Sequence, residues 1–336
     1  MPYAIDLSHH PRVALLDGPT PLQYLARLSA HVGGVHIHVK RDDMTGLGGG
    51  GNKLRKLEFL LGEAVQQGAD TIVTVGARQS NHARLTAAVA ARAGLKCELV
   101  LMRMVKRYDD DYLNNGNVIL NQLLGATVHD LPAGSDAVTF ATNRVAALAQ
   151  AGRHAYFCPL GGSSPVGCLG YAEGAAELMR QTTGQKIDAV VVPNGSGGMQ
   201  AGLAAGMAAL GPDTPPIIAH SVLADAAQAR EKTWRNAQDT ARLIDPALVI
   251  DPARIHVDDA QIGEGYGIPT QAMLDAVRLM ATQEGLLLDP VYGGKAFAGL
   301  LHAIKTGRFQ PGQHVVFVMT GGTPGIFAYR PAFDTV

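Results

Sequence analysis

The chain is poor in cysteine, in long apolar runs and in charge of either sign. Its 336 residues hold three cysteines, Cys97, Cys158 and Cys168, with no CxxC spacing. An odd, scattered set excludes a disulfide framework and a thiolate zinc site, and suits a reducing compartment. No apolar run approaches the length that spans a bilayer, so no membrane partner is expected. The N-terminal stretch MPYAIDLSHHPRVALLDGPTP has neither the basic nor the apolar region of a secretory signal, and a cytoplasmic protein is expected. The formal net charge is -1, which attracts no polyanion and argues against nucleic acid as a partner. There is no Walker A motif and no dinucleotide fingerprint, because Gln200 stands where G-x-G-x-x-G requires glycine. His36 and His38 alternate onto one strand face without a third ligand at metal spacing, and Asp109, Asp110 and Asp111 read as a solvated loop, so no metal is expected. Internal repeats and low-complexity linkers are also lacking.

What is present is an α/β pattern. Hydrophobic residues make up 47% and charged residues 17%, an ordinary globular composition. The length suits two modest domains or one large α/β unit. Short β-branched runs, read as strands, fall at 35–41, 71–76, 97–102, 127–131, 154–159, 188–194, 216–222, 286–290 and 314–320. Helical periodicity fills 52–68, 81–94, 198–210 and 270–285, with Leu54, Leu57, Leu61, Ala64 and Val65 along one face of the first. Strands alternating with helices imply mainly parallel sheets covered on both sides. Glycine, serine and proline break the pattern at 159–167, a candidate hinge or loop.

Ligands of open α/β sheets sit at the carboxyl ends of the strands, where this chain places its polar and glycine-rich clusters. In GLGGGGNKLRK (46–56) a glycine run enters a helix that Asn52 is expected to cap. Lys53 falls in the first turn, where the helix dipole opposes a cation and favours a nucleophilic amine. By itself the motif also fits a flexible loop with a solvated lysine. In GARQSNH (76–82) Ser80 either caps the next helix or joins Asn81 and the free amides in binding an anion. In PNGSGGMQAG (193–202), Gly195, Gly197 and Gly198 allow amides to converge on an anion, and three glycines in four residues favour a phosphate over a bare tight turn. Tyr266 in EGYGIPT and Tyr292 in DPVYGGK sit in glycine-flanked turns, where a phenol either moves a proton or packs. Thr320 ends the last strand in VMTGGTPG, and either caps a helix or meets a ligand above the sheet.

In order, KRDD, GGNKxRKLE, GAxQSNHxR, the Gly-Ser-Gly-Gly loop, GYGxP, DPVYxGK and TGGxPG resemble the D-cysteine desulfhydrase and 1-aminocyclopropane-1-carboxylate deaminase family, from about residue 10 to about residue 330. The resemblance implies the tryptophan-synthase-β-like fold, fold type II of the pyridoxal 5'-phosphate enzymes. It implies a large domain of residues 1–54 plus 161–336, a smaller inserted α/β domain of 55–160, and a homodimer. Lys53 matches the lysine that carries pyridoxal 5'-phosphate as a Schiff base. Asn81 matches the partner of the cofactor 3'-oxygen, and residues 195–199, from Gly195 through Ser196, Gly197 and Gly198 to Met199, match the phosphate cup. Thr320 matches the hydroxyl partner of the pyridine nitrogen. Ser80, Asn81 and His82 match the substrate-carboxylate site, and Tyr266 and Tyr292 the two active-site tyrosines.

The implied activity is β-elimination from a small amino acid, D-cysteine or another β-substituted alanine such as cysteate, giving pyruvate, ammonia and the leaving group. The alternatives are the cyclopropane deaminase and, in another class, a non-catalytic binder of the cofactor or of an anion. The chain departs from the family pattern in three places. Gly293 stands where the deaminases have Glu and the desulfhydrases usually Thr, Met199 replaces a Thr, and Arg78 replaces an apolar residue. Arg78 either faces the substrate, where its fork would bind a second anionic group, or faces solvent.

Overall fold

The structure, a computed structural model, describes residues 3–334. Strand β1 (Leu22–Tyr24), helix α1 (Ala26–His31) and strand β2 (His36–Arg41) come first. Helix α2 (Lys53–Gln66) leads to β3 (Thr71–Ala77), α3 (Asn81–Ala93) and β4 (Lys96–Met102). Short helices α4 (Asp110–Asn114) and α5 (Asn117–Leu123) precede β5 (Thr127–Leu131), α6 (Ala137–Gln150) and β6 (Ala155–Cys158). Next come α7 (Pro165–Gln181), β7 (Ala189–Asn194), α8 (Gly198–Leu210), β8 (Ile217–Ser221), α9 (Ala226–Ile244) and β9 (Ile255–Asp258). Helices α10 (Gln271–Glu284) and α11 (Gly293–Lys305), strand β10 (His314–Met319) and helices α12 (Pro324–Ala328) and α13 (Arg330–Phe333) complete the order.

The strands form two sheets. One has the order β1-β2-β10-β7-β8-β9, the other β5-β4-β3-β6. Every pairing is parallel except that of β1 with β2. Alternate residues serve opposite faces of the larger sheet, as the two-residue period of a strand requires. Val191, Val315 and Phe317 pack with Met273, Val277 and Phe297 from α10 and α11. Val190, Val192, Val316 and Val318 pack with Leu178, Leu203 and Met207 from α7 and α8. In the smaller sheet Ile72, Leu99 and Leu101 meet Leu57 and Leu61 of α2 and Leu85 of α3, while Val73, Val75 and Val100 meet α6. Both sheets are therefore helix-covered, as the alternating pattern implies.

Most expected elements appear within a residue or two of their sequence patterns. Segment 286–290 is a correction: it is no strand. Gly285, at φ +69, ends α10 in the left-handed region and turns the chain. The Asp289 carboxylate then accepts the amide hydrogens of Val291, Tyr292 and Gly293, which builds a turn instead of a ladder. Leu288 is buried in the core of the larger sheet, so the apolar signal was real but not strand-specific.

A buried ion cluster anchors α2. Arg55 donates to both Asp42 oxygens at 2.9 Å and to Glu177 at 2.8 and 2.9 Å, and Glu177 also pairs with Lys40. Tyr171 donates to Asp42 at 2.7 Å. These contacts tie the first turns of α2 to the end of β2 and to α7, and so fix where Lys53 starts.

Candidate active site

An open cleft of about 800 Å³ lies where the carboxyl ends of β3, β7 and β10 meet the start of α2. Lys53, the first residue of α2, lines it. Burial pushes its amine down to about 7, with the Lys56 ammonium adding to the effect. Its Nζ donates weakly to Asn52 Oδ1 at 3.4 Å and lies 6.0 Å from the Tyr292 ring centre. Asn52 does not cap the helix, contrary to expectation. Its backbone is already helical, and its side chain turns inward to Met199 Sδ at 3.7 Å. Tertiary packing overrides the usual capping preference there.

The start of α3 forms a second wall. Ser80 is the cap, its hydroxyl accepting from the Ala83 amide at 3.1 Å. That leaves the hydroxyl proton for another partner. Asn81 Oδ1 accepts from Asn117 at 2.8 Å, so the Asn81 amide presents its NH2 group as the remaining donor. His82 is held neutral, its pKa well below the usual value through burial and the nearby Lys53 and Lys56 cations. Its tautomer follows from its partner. Thr74 Oγ1 donates to Cys158 O at 2.8 Å and so accepts from His82 Nε2 at 2.9 Å. The buried Nδ1 lone pair has no protein partner.

The loop from β7 to α8 forms an anion cradle. Gly197 adopts φ +85, and a Cβ there would come 2.8 Å from Thr233 Oγ1. A Cβ on Gly198 would lie 2.4 Å from both Lys56 Nζ and Ser163 Oγ. Ser163 and Ser196 hydroxyls are 2.7 Å apart, and Lys56 Nζ donates to Gly161 O at 2.9 Å and Ser163 Oγ at 2.8 Å. Lys56 is fully buried and its amine lowered by that burial, so the site holds a cation in want of an anion. Amides at the start of a 13-residue helix, two hydroxyls and this amine suit a phosphate. The donor set fits pyridoxal 5'-phosphate.

The tyrosines meet across the cleft. Their hydroxyl oxygens are 2.6 Å apart. Burial pushes the Tyr292 phenol up to about 12 and Tyr266 well above its usual value. The two phenols share one hydrogen bond, and whichever hydroxyl accepts in it keeps its own proton free. Gly195 admits the Tyr292 ring, since a Cβ there would be 2.9 Å from Tyr292 Cε1. Thr320 lines the cleft, and its carbonyl accepts from the Asn52 amide at 3.1 Å.

Of the residues expected in the site, Lys53, Ser80, Asn81, His82, Gly195, Ser196, Gly197, Met199, Tyr266, Tyr292 and Thr320 line this one cleft, with Gly198 beneath it. Arg78 does not. Its guanidinium donates to Leu113 O at 2.8 and 3.1 Å and to Asp130 at 2.7 Å, which turns it toward β5. His36 and His38 also lie outside the cleft, and among the described residues no group of His, Cys, Asp or Glu is arranged to hold a metal ion. Lys56, Ser163, Asn117 and Asp289 were missed. Lys56 carried a usable signal, being three residues past Lys53 on the same helix face.

This fold, with an amine, an anion cradle and a tyrosine pair at the carboxyl ends of parallel strands, defines a class. The chain belongs to the pyridoxal-phosphate dependent enzymes, a family it matches over residues 13–321. It is 42% identical over 326 residues to D-cysteine desulfhydrases of Salmonella typhi and Salmonella newport, covering 97% of this chain and 98% of each relative. Among solved structures it resembles an ACC deaminase homologue with a TM-score of 0.88 and 36% identity, covering 98% of this chain and 97% of the other. O-ureido-L-serine synthase shares the fold at a TM-score of 0.67 and 19% identity, over 95% of this chain and 93% of the other. No helix among the described residues is long and apolar enough to cross a membrane.

Proposed function

We propose that the chain is a pyridoxal-phosphate-dependent lyase that cleaves D-cysteine, or a related β-substituted alanine, to pyruvate, ammonia and the leaving group. The observation that carries this reading is the Lys53 amine, lowered to about 7, lining one cleft with Tyr292 and the 195–198 cradle. When bound, the cofactor supplies the electron sink for cleavage at the substrate Cα. Lys53 would hold it covalently through Nζ. Ser196, the amides of 195–199 and Lys56 would hold its phosphate, and Asn81, through its NH2 group, and Thr320, through its hydroxyl, would hold its ring.

The remaining residues act on the substrate. Amides at the start of α3, with the Ser80 proton, hold the carboxylate. His82, held neutral, lines the cleft beside them. The Lys53 amine, lowered by burial to about 7, would be suited to take the Cα proton. Tyr292, hydrogen-bonded to Tyr266, would give a proton to the departing sulfur. Purified enzyme should release sulfide and pyruvate from D-cysteine, and Lys53→Ala should lose the visible absorbance of the bound cofactor. Formation of 2-oxobutyrate from the cyclopropane amino acid, with no turnover of either cysteine enantiomer, would replace this reading by the deaminase.

We further propose residues 55–160 as a smaller domain inserted into a larger one of 1–54 plus 161–336, and a cytoplasmic homodimer as the working form. Limited proteolysis and sedimentation test these.

A further inference from the structure

Tyr266 sits in the loop between β9 and α10, flanked by two glycines with positive φ. Gly265 has φ +148 and Gly267 φ +70. Two buried side chains from elsewhere in the chain grip this loop on either side of the tyrosine. Lys295, fully buried on α11, donates from Nζ to Ile262 O at 2.6 Å and to Gly265 O at 2.9 Å. Tyr329, also buried, donates its hydroxyl to Gly267 O at 2.8 Å.

Both grips are specific to their places. A Cβ on Gly267 would come within 2.9 Å of the Tyr329 oxygen, so the approach requires glycine. Lys295 lies in the first turn of α11, three residues past Tyr292, which immediately precedes that helix, so one short segment carries Tyr292 and holds the loop of its partner. The Lys295 amine is lowered to about 8 by burial alone, with no carboxylate offsetting it. Arg107 lies over the Tyr329 ring at 4.7 Å and fixes that ring in turn.

We infer that Lys295 and Tyr329 are positioning residues that clamp the backbone on both sides of Tyr266 and hold its phenol against Tyr292. The inference rests on the reading that the tyrosine pair delivers the leaving group's proton. Without the clamp, rotation about the two glycines would move the Tyr266 hydroxyl away and leave Tyr292 without its hydrogen-bond partner. Neither residue touches the substrate, and neither lines the cleft.

The test uses Tyr329→Phe and Lys295→Met in the holoenzyme, each alone and combined with Tyr266→Phe. Each alone should lower kcat for sulfide release from D-cysteine about ten- to hundredfold, as small misplacements of a reacting group do, with KM within about twofold. On the Tyr266→Phe background the same changes should cost less than about twofold, since coupled residues are not additive. An equal loss in both backgrounds would overturn the clamp. So would a crystal structure of the Tyr329→Phe holoenzyme with the two hydroxyls still 2.6 Å apart. If that structure shows the phenol displaced while Tyr266→Phe turns over like the parent, the clamp stands and the role of the tyrosine pair falls. Should Lys295→Met fail to fold, Tyr329→Phe, which removes one oxygen atom, still decides the matter.

Discussion

Replacing Lys56 by methionine should separate the stability of the empty enzyme from its hold on the cofactor. The ammonium is fully buried, and its protein partners are Gly161 O and Ser163 Oγ, with no carboxylate among them. Burying a charge without an opposite charge is costly, and an apolar side chain of similar length avoids that cost. The empty Lys56→Met enzyme should therefore be as stable as the parent or more so. With phosphate in the 195–198 cradle the balance reverses. A charge-assisted hydrogen bond contributes about 2 kcal/mol, roughly thirtyfold in affinity. The variant should bind pyridoxal 5'-phosphate about thirtyfold more weakly, and the cofactor should raise its melting temperature less. Titration of the empty protein followed by visible absorbance, with parallel thermal melts, reads both quantities. Equal destabilisation of the empty and loaded forms, with unchanged cofactor affinity, would refute the reasoning, because it would make Lys56 a purely structural residue.

Capture of the cofactor should quicken as pH rises and level off just above pH 7, because the neutral Lys53 amine is the nucleophile and its pKa is lowered to about 7. Stopped-flow absorbance measures this, and a rate still climbing at pH 9 would show an unperturbed amine. Arg78→Ala should leave KM for D-cysteine within about twofold and cost roughly 1–3 kcal/mol of stability, since it removes no cleft contact but loses the ion pair with Asp130 and both bonds to Leu113 O. A tenfold rise in KM would place the guanidinium at the substrate after all. Arg55→Met strands the buried Asp42 and Glu177 carboxylates and should cost about 3–5 kcal/mol in urea unfolding. A loss under about 1 kcal/mol would mean the anchor of α2 lies elsewhere.

The fold was legible wherever apolar β-branched runs were long enough to show a period. β7 and β10 are buried on both faces and read as continuous apolar strands, as central parallel strands do. The edge strands of the larger sheet were not legible. β1 and β9 have three and four residues, and their pairing comes from the sheet beside them, not from their own pattern. Segment 286–290 misled because an apolar run can equally be a buried loop held by one carboxylate. The site was legible where glycine marked it, since a missing Cβ records close approach, as Gly195 does beneath the Tyr292 ring. Ser163 and Asn117 left no such mark. They act through side chains on segments far along the chain, and only the folded structure brings them to Ser196 and Asn81.

Gly293 shows how one absent side chain bears on the chemistry. In the family pattern this position carries an acid in the deaminases. Here the Gly293 amide donates to Asp289 Oδ1 at 2.6 Å, and a Cβ would stand 3.0 Å from that same oxygen. Asp289 is itself fully buried, and burial lifts its pKa to about 6 despite three amide donors. A second carboxyl introduced beside it by Gly293→Glu would raise both groups further through like-charge repulsion. Protonated Asp289 accepts less strongly from the amides of 291–293, which set the direction of the Tyr292 ring. The substitution should therefore lower D-cysteine turnover, with the loss largest just above pH 6, where the parent's Asp289 is ionised and the variant's is protonated, and smaller below it, where both are protonated. A variant that keeps parental turnover down to pH 5 would show that the turn holds Tyr292 without help from Asp289.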